Sequence, residues 1–273
     1  MIRTSLAIAV SLAWCVGCAN PEDQPPSPLP GSAGSASSGS GGSDADGSAG
    51  TGGAAVAPGS VNQLGRARCT PPQGMTGSPQ TIEDAVALLN ALPKPTGVPC
   101  FVEALDRPLG AYATNSIFSA QPAVSNESPR VFLLVGTLWI SVAIDGTGSD
   151  LIEFGQLSGD GLRSLKGELQ LPVSGVVPAT LPFDRVVEDG TSTVCGLCHR
   201  AEMLDHVEGT SQIFSSLAFR PVPTTRVPLD YVRDQAAGCD WQAEPDRCDL
   251  LSALFGGGAV QDAEFPSSMA TFF

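Results

Sequence analysis

The chain has 273 residues and a formal charge of −14, from 14 Lys and Arg against 28 Asp and Glu. That excess of negative charge argues against nucleic acid and anionic lipid headgroups as partners. Only 15% of residues are charged, so the surface is expected to be rich in Ser, Thr, Pro and Gly.

Residues 1–18 read MIRTSLAIAVSLAWCVGC: one Arg, an apolar run too short to span a bilayer, then small residues. This is the pattern of a secretory signal. Its end resembles a bacterial lipobox, with Val16 and Gly17 before Cys18, although Cys15 stands where the family usually has Leu. The resemblance implies that Cys18 becomes the mature N-terminus and carries acyl chains. The membrane partner is then reached through a lipid anchor, with the protein exported and held to the bacterial cell envelope. Residues 19–61 are Pro-rich and then almost wholly Gly, Ser and Ala. Their apolar content is too small to offset the entropy of ordering, so they are expected to be a disordered tether.

The folded part begins near residue 62. A β-rich region is expected over 62–178 and a C-terminal region carrying a Cys-x-x-Cys-His motif over 179–273. Thr81-x-x-Asp84 is a capping-box pattern, and Ile82, Ala85, Val86, Leu89 and Leu92 recur at helical spacing behind it. Pro93 and Pro95 close that helix. The runs VPCFVEAL, GAYATNSIFSA, RVFLLVGTLWISVAI, LIEFGQL and SLKGELQLPV then read as strands separated by Gly and Pro. The third is a long buried strand, or a hairpin about Gly136-Thr137, with Phe132 and Trp139 in the core. QIFSSLAFRPV reads as a further strand. VPLDYVRDQAAGC and DRCDLLSALFG read as helices, and the apolar tail FPSSMATFF as docked on the core. The expected fold is therefore α+β. It has a mainly antiparallel, sandwich-like β core, a few short helices and a helical C-terminal part.

The chemistry concentrates in Cys195-Gly196-Leu197-Cys198-His199, and His199 and His206 are the only two histidines. Two thiols three residues apart can each add to one vinyl group of the same haem edge, with the adjacent imidazole under the iron. A disulfide or redox pair of Cys195 and Cys198, and a zinc site completed by His206, are the competing readings. The pentapeptide resembles the attachment site of c-type cytochromes. LLSALFG near Leu250 is similar to the last helix of that family, and Pro266-Ser267-Ser268-Met269 to its methionine loop. The resemblance implies one covalent haem c on Cys195 and Cys198, with His199 as the proximal iron ligand and Met269 as a suggested distal one. It also implies a redox partner protein. Met203 and His206 are poor distal ligands, because a helix continuing from His199 would place them on its own side of the ring.

Cys69, Cys100, Cys239 and Cys248 remain. Cys239 and Cys248 flank a short loop between two predicted helices, so Cys239–Cys248 and Cys69–Cys100 are the natural disulfides among three possible connectivities. No Gly-rich phosphate loop or nucleophile elbow is present. Glu188/Asp189 and Glu202/Asp205 read as solvated surface rather than acid–base pairs. Two functions stand against each other. One is electron transfer by a tethered haem module. The other is a structural or binding role for a disulfide-stabilised β-sandwich surface lipoprotein without a cofactor.

Overall fold

The computed structural model describes residues 62–271. The signal segment with Cys18 and the tether 19–61 lie outside the described residues.

Helix α1 (Ile82–Ala91) starts where the capping box places it. The Asp84 amide donates to the Thr81 hydroxyl at 3.0 Å, and the Asp84 carboxylate accepts from the Thr81 amide. Ile82, Ala85, Val86, Leu88 and Leu89 are buried. The run VPCFVE, expected as a strand, is instead helix α2 (Val98–Glu103). An apolar run of this length does not distinguish a buried strand from a buried helix. Here Gly97 caps the segment and Pro99 occupies its first turn, where the missing proline N–H has no helical acceptor to lose.

Five strands follow: β1 (Leu109–Thr114), β2 (Arg130–Val135), β3 (Leu138–Ala143), β4 (Leu151–Leu157) and β5 (Arg163–Gln170). β2 and β3 are the hairpin about Gly136-Thr137, with Gly136 at φ 60°, a conformation that suits glycine. Helix α3 (Leu181–Val186) and the short α4 (Gly196–His199) precede β6 (Met203–Glu208) and β7 (Ser211–Leu217). The chain ends through β8 (Arg226–Val227), α5 (Leu229–Ala237), α6 (Pro245–Phe255) and β9 (Val260–Asp262).

All nine strands form one sheet in the order β6-β7-β5-β4-β3-β2-β1-β8, with β9 also beside β1. Its pairings are antiparallel except β1 with β9. The fold is thus mainly antiparallel α+β, and the layer packed on the sheet is helical. On one face, Val131, Leu133, Leu138, Ile140, Val142, Ile152 and Phe154 join the buried sides of α1, α2 and α6 in the main core. Phe101 of α2 meets Phe154 edge-on at 6.5 Å. On the other face the C-terminal tail docks. Phe265 packs against Tyr112, Phe132 and Trp139 at 5.1, 5.3 and 4.9 Å, and Met269 is buried in the same cluster. Because both faces are covered, every position of β3 is buried.

Cys69–Cys100 and Cys239–Cys248 are disulfides. The first ties the entering chain to α2, and the second joins the end of α5 to α6. Beside them Arg66 donates to both carboxylates of Glu103 and Asp249 at 2.6 to 3.1 Å. Burial alone would lower the Arg66 pKa, but these hydrogen bonds and charges raise it above the usual guanidinium value.

Candidate functional site

The Cys195–His199 segment sits against β7, next to the β6 end of the sheet. Cys195 caps the single turn of α4, and the His199 amide donates back to its carbonyl at 2.9 Å. The expected helix running on to His206 does not form. Arg200 and Ala201 have positive φ, 49° and 47°, which costs a residue with a Cβ on the order of 1–3 kcal/mol. The chain then leaves as β6.

Polar contacts hold this turn. The Thr193 amide donates to Glu202 at 2.7 Å and its hydroxyl donates to the same carboxylate, while the Cys195 amide donates to the Thr193 hydroxyl at 3.2 Å. A Cβ at Gly196 would come within 2.9 to 3.1 Å of the Glu202 carboxyl group, so any larger residue there has to displace that carboxylate. Glu202 therefore anchors the motif, whereas its pairing in sequence with Asp205 had suggested solvated surface.

The His199 ring stacks on Phe219 at 5.6 Å, and its Nδ1 lies 2.9 Å from the Leu217 carbonyl oxygen. A carbonyl can only accept, so Nδ1 carries the proton and Nε2 the lone pair. Burial, with Lys166 and Arg130 nearby, pushes the imidazole pKa down to about 3. Burial pushes the Cys195 thiol up to about 12, against the opposing influence of Lys166. Lys166 is brought down to about 8 by burial, offset in part by Cys195 and Glu153; its ammonium donates to the Ser164 hydroxyl at 2.6 Å.

Next to Lys166 on the same sheet face, Arg130 donates to Ser141 at 2.5 Å and also to Ser119 and Glu153. Ser141 in turn donates to Gln121 at 2.9 Å, fixing the 115–128 loop over the strands. Sequence reasoning missed Lys166, Arg130, Glu153 and Gln121. For Arg130, Glu153 and Lys166 the only signal was the polar member of an alternating strand pattern, which normally marks a solvated face, and Gln121 lies in the loop between β1 and β2.

At neutral pH this site holds a protonated thiol, a neutral imidazole and, for the most part, an ammonium. An activated cysteine needs the opposite distribution, a thiolate beside a cation. The arrangement suits holding a turn in place better than nucleophilic chemistry.

The haem c expected on Cys195, Cys198 and His199 is corrected by the structure, and the resemblance to c-type cytochromes with it. Among the described residues no group of three or more His, Cys, Asp or Glu side chains is placed to hold a metal ion. The residues present do not fit the cofactor. Met269, the suggested distal ligand, is buried among Tyr112, Trp139 and Phe265, and its carbonyl accepts from Arg220 at 2.9 Å. The segment after His199 is a strand rather than the expected helix, so the likeness ends at the pentapeptide. A zinc site fails for the same reason: His206 stands on exposed β6 with Asp205 at 2.8 Å. Cys195 and Cys198 belong to neither disulfide and are both half-buried.

The site and fold together describe a disulfide-stapled, mainly antiparallel α+β domain. No family model, curated protein or solved structure matches the chain.

Proposed function

We propose that this protein is an exported structural or binding module of the bacterial cell envelope, tethered through a lipid on Cys18 and the linker 19–61. The observation that carries the proposal is the pair of disulfides, Cys69–Cys100 and Cys239–Cys248, which brace the helical layer from both ends. Such bonds persist in oxidising compartments and are rare where thiols are kept reduced. The signal-like start and the Gly/Ser tether agree with that compartment. The absence of an activated thiol at Cys195 favours binding over catalysis at this site.

Cell fractionation tests the proposal. The wild-type chain is expected in the membrane fraction, and Cys18→Ser is expected to release it to the soluble exported fraction. Alkylation with and without prior reduction, followed by intact mass measurement, should find four cysteines that react only after reduction. A wild-type protein found soluble in the cytoplasm with every thiol alkylated sinks the proposal.

A further inference from the structure

We propose that β6 is a self-association edge, through which two copies of this chain join their sheets strand to strand across a two-fold axis. This goes beyond the tethering proposal and does not depend on it.

β6 ends the sheet order and pairs only with β7. All six of its residues are exposed, with Met203 at 55%, Leu204 at 45% and Val207 at 55%. An edge strand offers a row of main-chain donors and acceptors to any extended partner, and natural edges are blunted by charged side chains (Lys above all), Pro, bulges or a covering segment; of these β6 has two carboxylates and one bulge. Met203–Glu208 contains no Pro, Lys or Arg, and no strand covers its outer side among the described residues.

The register makes the edge complementary to itself. Positions three apart in an unbroken strand point to opposite faces. In β6 a bulge at Asp205 intervenes: Leu204 pairs with Phe214, His206 with Ile213 and Val207 with Gln212. Phe214 and Gln212 share a face, so Leu204 and Val207 do too. An antiparallel pair of β6 strands with its two-fold between Asp205 and His206 then sets Leu204 against the partner's Val207, and Val207 against the partner's Leu204. Each hydrogen-bonded Asp205–His206 pair meets the other in reverse, carboxylate toward imidazole.

A second copy fits this edge better than the chain's own tether does. Residues 19–61 hold only Leu29, Val56 and Val61 as large aliphatic residues, and no two of these are spaced to match Leu204 and Val207. A paired stretch of six residues spans about 20 Å. It falls at the small end of specific interfaces, which implies micromolar or weaker affinity in solution. Copies confined to one surface would meet at a much higher effective concentration.

The test is sedimentation velocity on the full chain carrying Cys18→Ser, so that no lipid contributes, across a concentration series at about 0.05 M and about 0.5 M NaCl. A monomer–dimer equilibrium is expected, and it should tighten at the higher salt, because two chains of charge −14 then repel less. Leu204→Lys and Val207→Lys should each weaken the dimer by about tenfold or more, by setting a charge against an apolar side chain. Val176→Lys, at a position 84% exposed on a loop elsewhere, should leave it unchanged. Hydrogen exchange on the same chain without these lysines guards against a misfolded variant: β6 amides should slow as concentration rises. A monomer at every concentration in both salts overturns the proposal. So does a dimer indifferent to both β6 lysines, or one that loosens as salt is added.

Discussion

The helical layer and the Cys195–Glu208 segment are both anchored near cysteines, yet they are held by different forces. In the first, Cys69–Cys100 and Cys239–Cys248 close the chain around fully buried side chains such as Phe101, Leu89 and Leu251. In the second, β6 is exposed throughout, α4 is at most half-buried, and the turn depends on Glu202, Thr193 and the Leu217 carbonyl. Apolar burial is non-directional and tolerates rearrangement, whereas a turn held by a few hydrogen bonds is only as firm as each of them. The same cysteine spacing that suggested a cofactor therefore lies in the part of the molecule least able to enclose one.

The largest effect that would sharpen this contrast is truncation in the core. Phe101→Ala should destabilise the protein by about 3–5 kcal/mol, read from urea melts, while Leu204→Ala on β6 should stay within about 0.5 kcal/mol. Comparable losses at both positions would mean that β6 is buried in solution. Replacing Cys69 and Cys100 together by Ser should remove about 3–4 kcal/mol, since their sequence separation is 31. The Cys239–Cys248 pair, with a separation of 9, should contribute about 2–3 kcal/mol by the same loop-closure reasoning. Cys195→Ser should fall below both.

Acid should act through the second region. Above pH 6.5 His199 is neutral in both states. Between about 6.5 and about 3 the unfolded imidazole is protonated while the folded one is not. The unfolded state then binds more protons, so stability falls on acidification through that window, by at most about 1.4 kcal/mol per pH unit. The stability difference between wild type and His199→Gln, measured from pH 7 down to 4, should carry that slope, because the carboxylates are common to both chains. A flat difference would place His199 in water.

A small and local effect is expected at Glu202. Glu202→Gln weakens two charge-assisted hydrogen bonds to Thr193, together about 1 kcal/mol. Hydrogen exchange should quicken over residues 193–208 while the helical layer keeps its protection. If protection were lost evenly across the chain, the two regions would be one cooperative unit.

Local chemistry made several elements legible in the chain itself. Thr81 and Asp84 announce α1, Gly136-Thr137 divides β2 from β3, and Gly256 ends α6. At Thr81–Asp84 and at Gly136 a neighbouring residue supplies the hydrogen bond or the permitted φ, so a short window of sequence is sufficient. The apolar tail was equally readable, since Phe265 and Met269 have no other way to leave water. VPCFVE was not, because its burial on every side removes the periodicity that separates helix from strand. Nor was the motif. Its fate depends on Leu217, eighteen residues beyond His199, and on Lys166 and Arg130, brought beside it only when β5 pairs with β7 and β2 joins the sheet through β3 and β4. Cys-x-x-Cys-His states which atoms are available. Whether they face a cofactor or a wall of sheet is set by contacts between distant strands, and those exist only in the folded molecule.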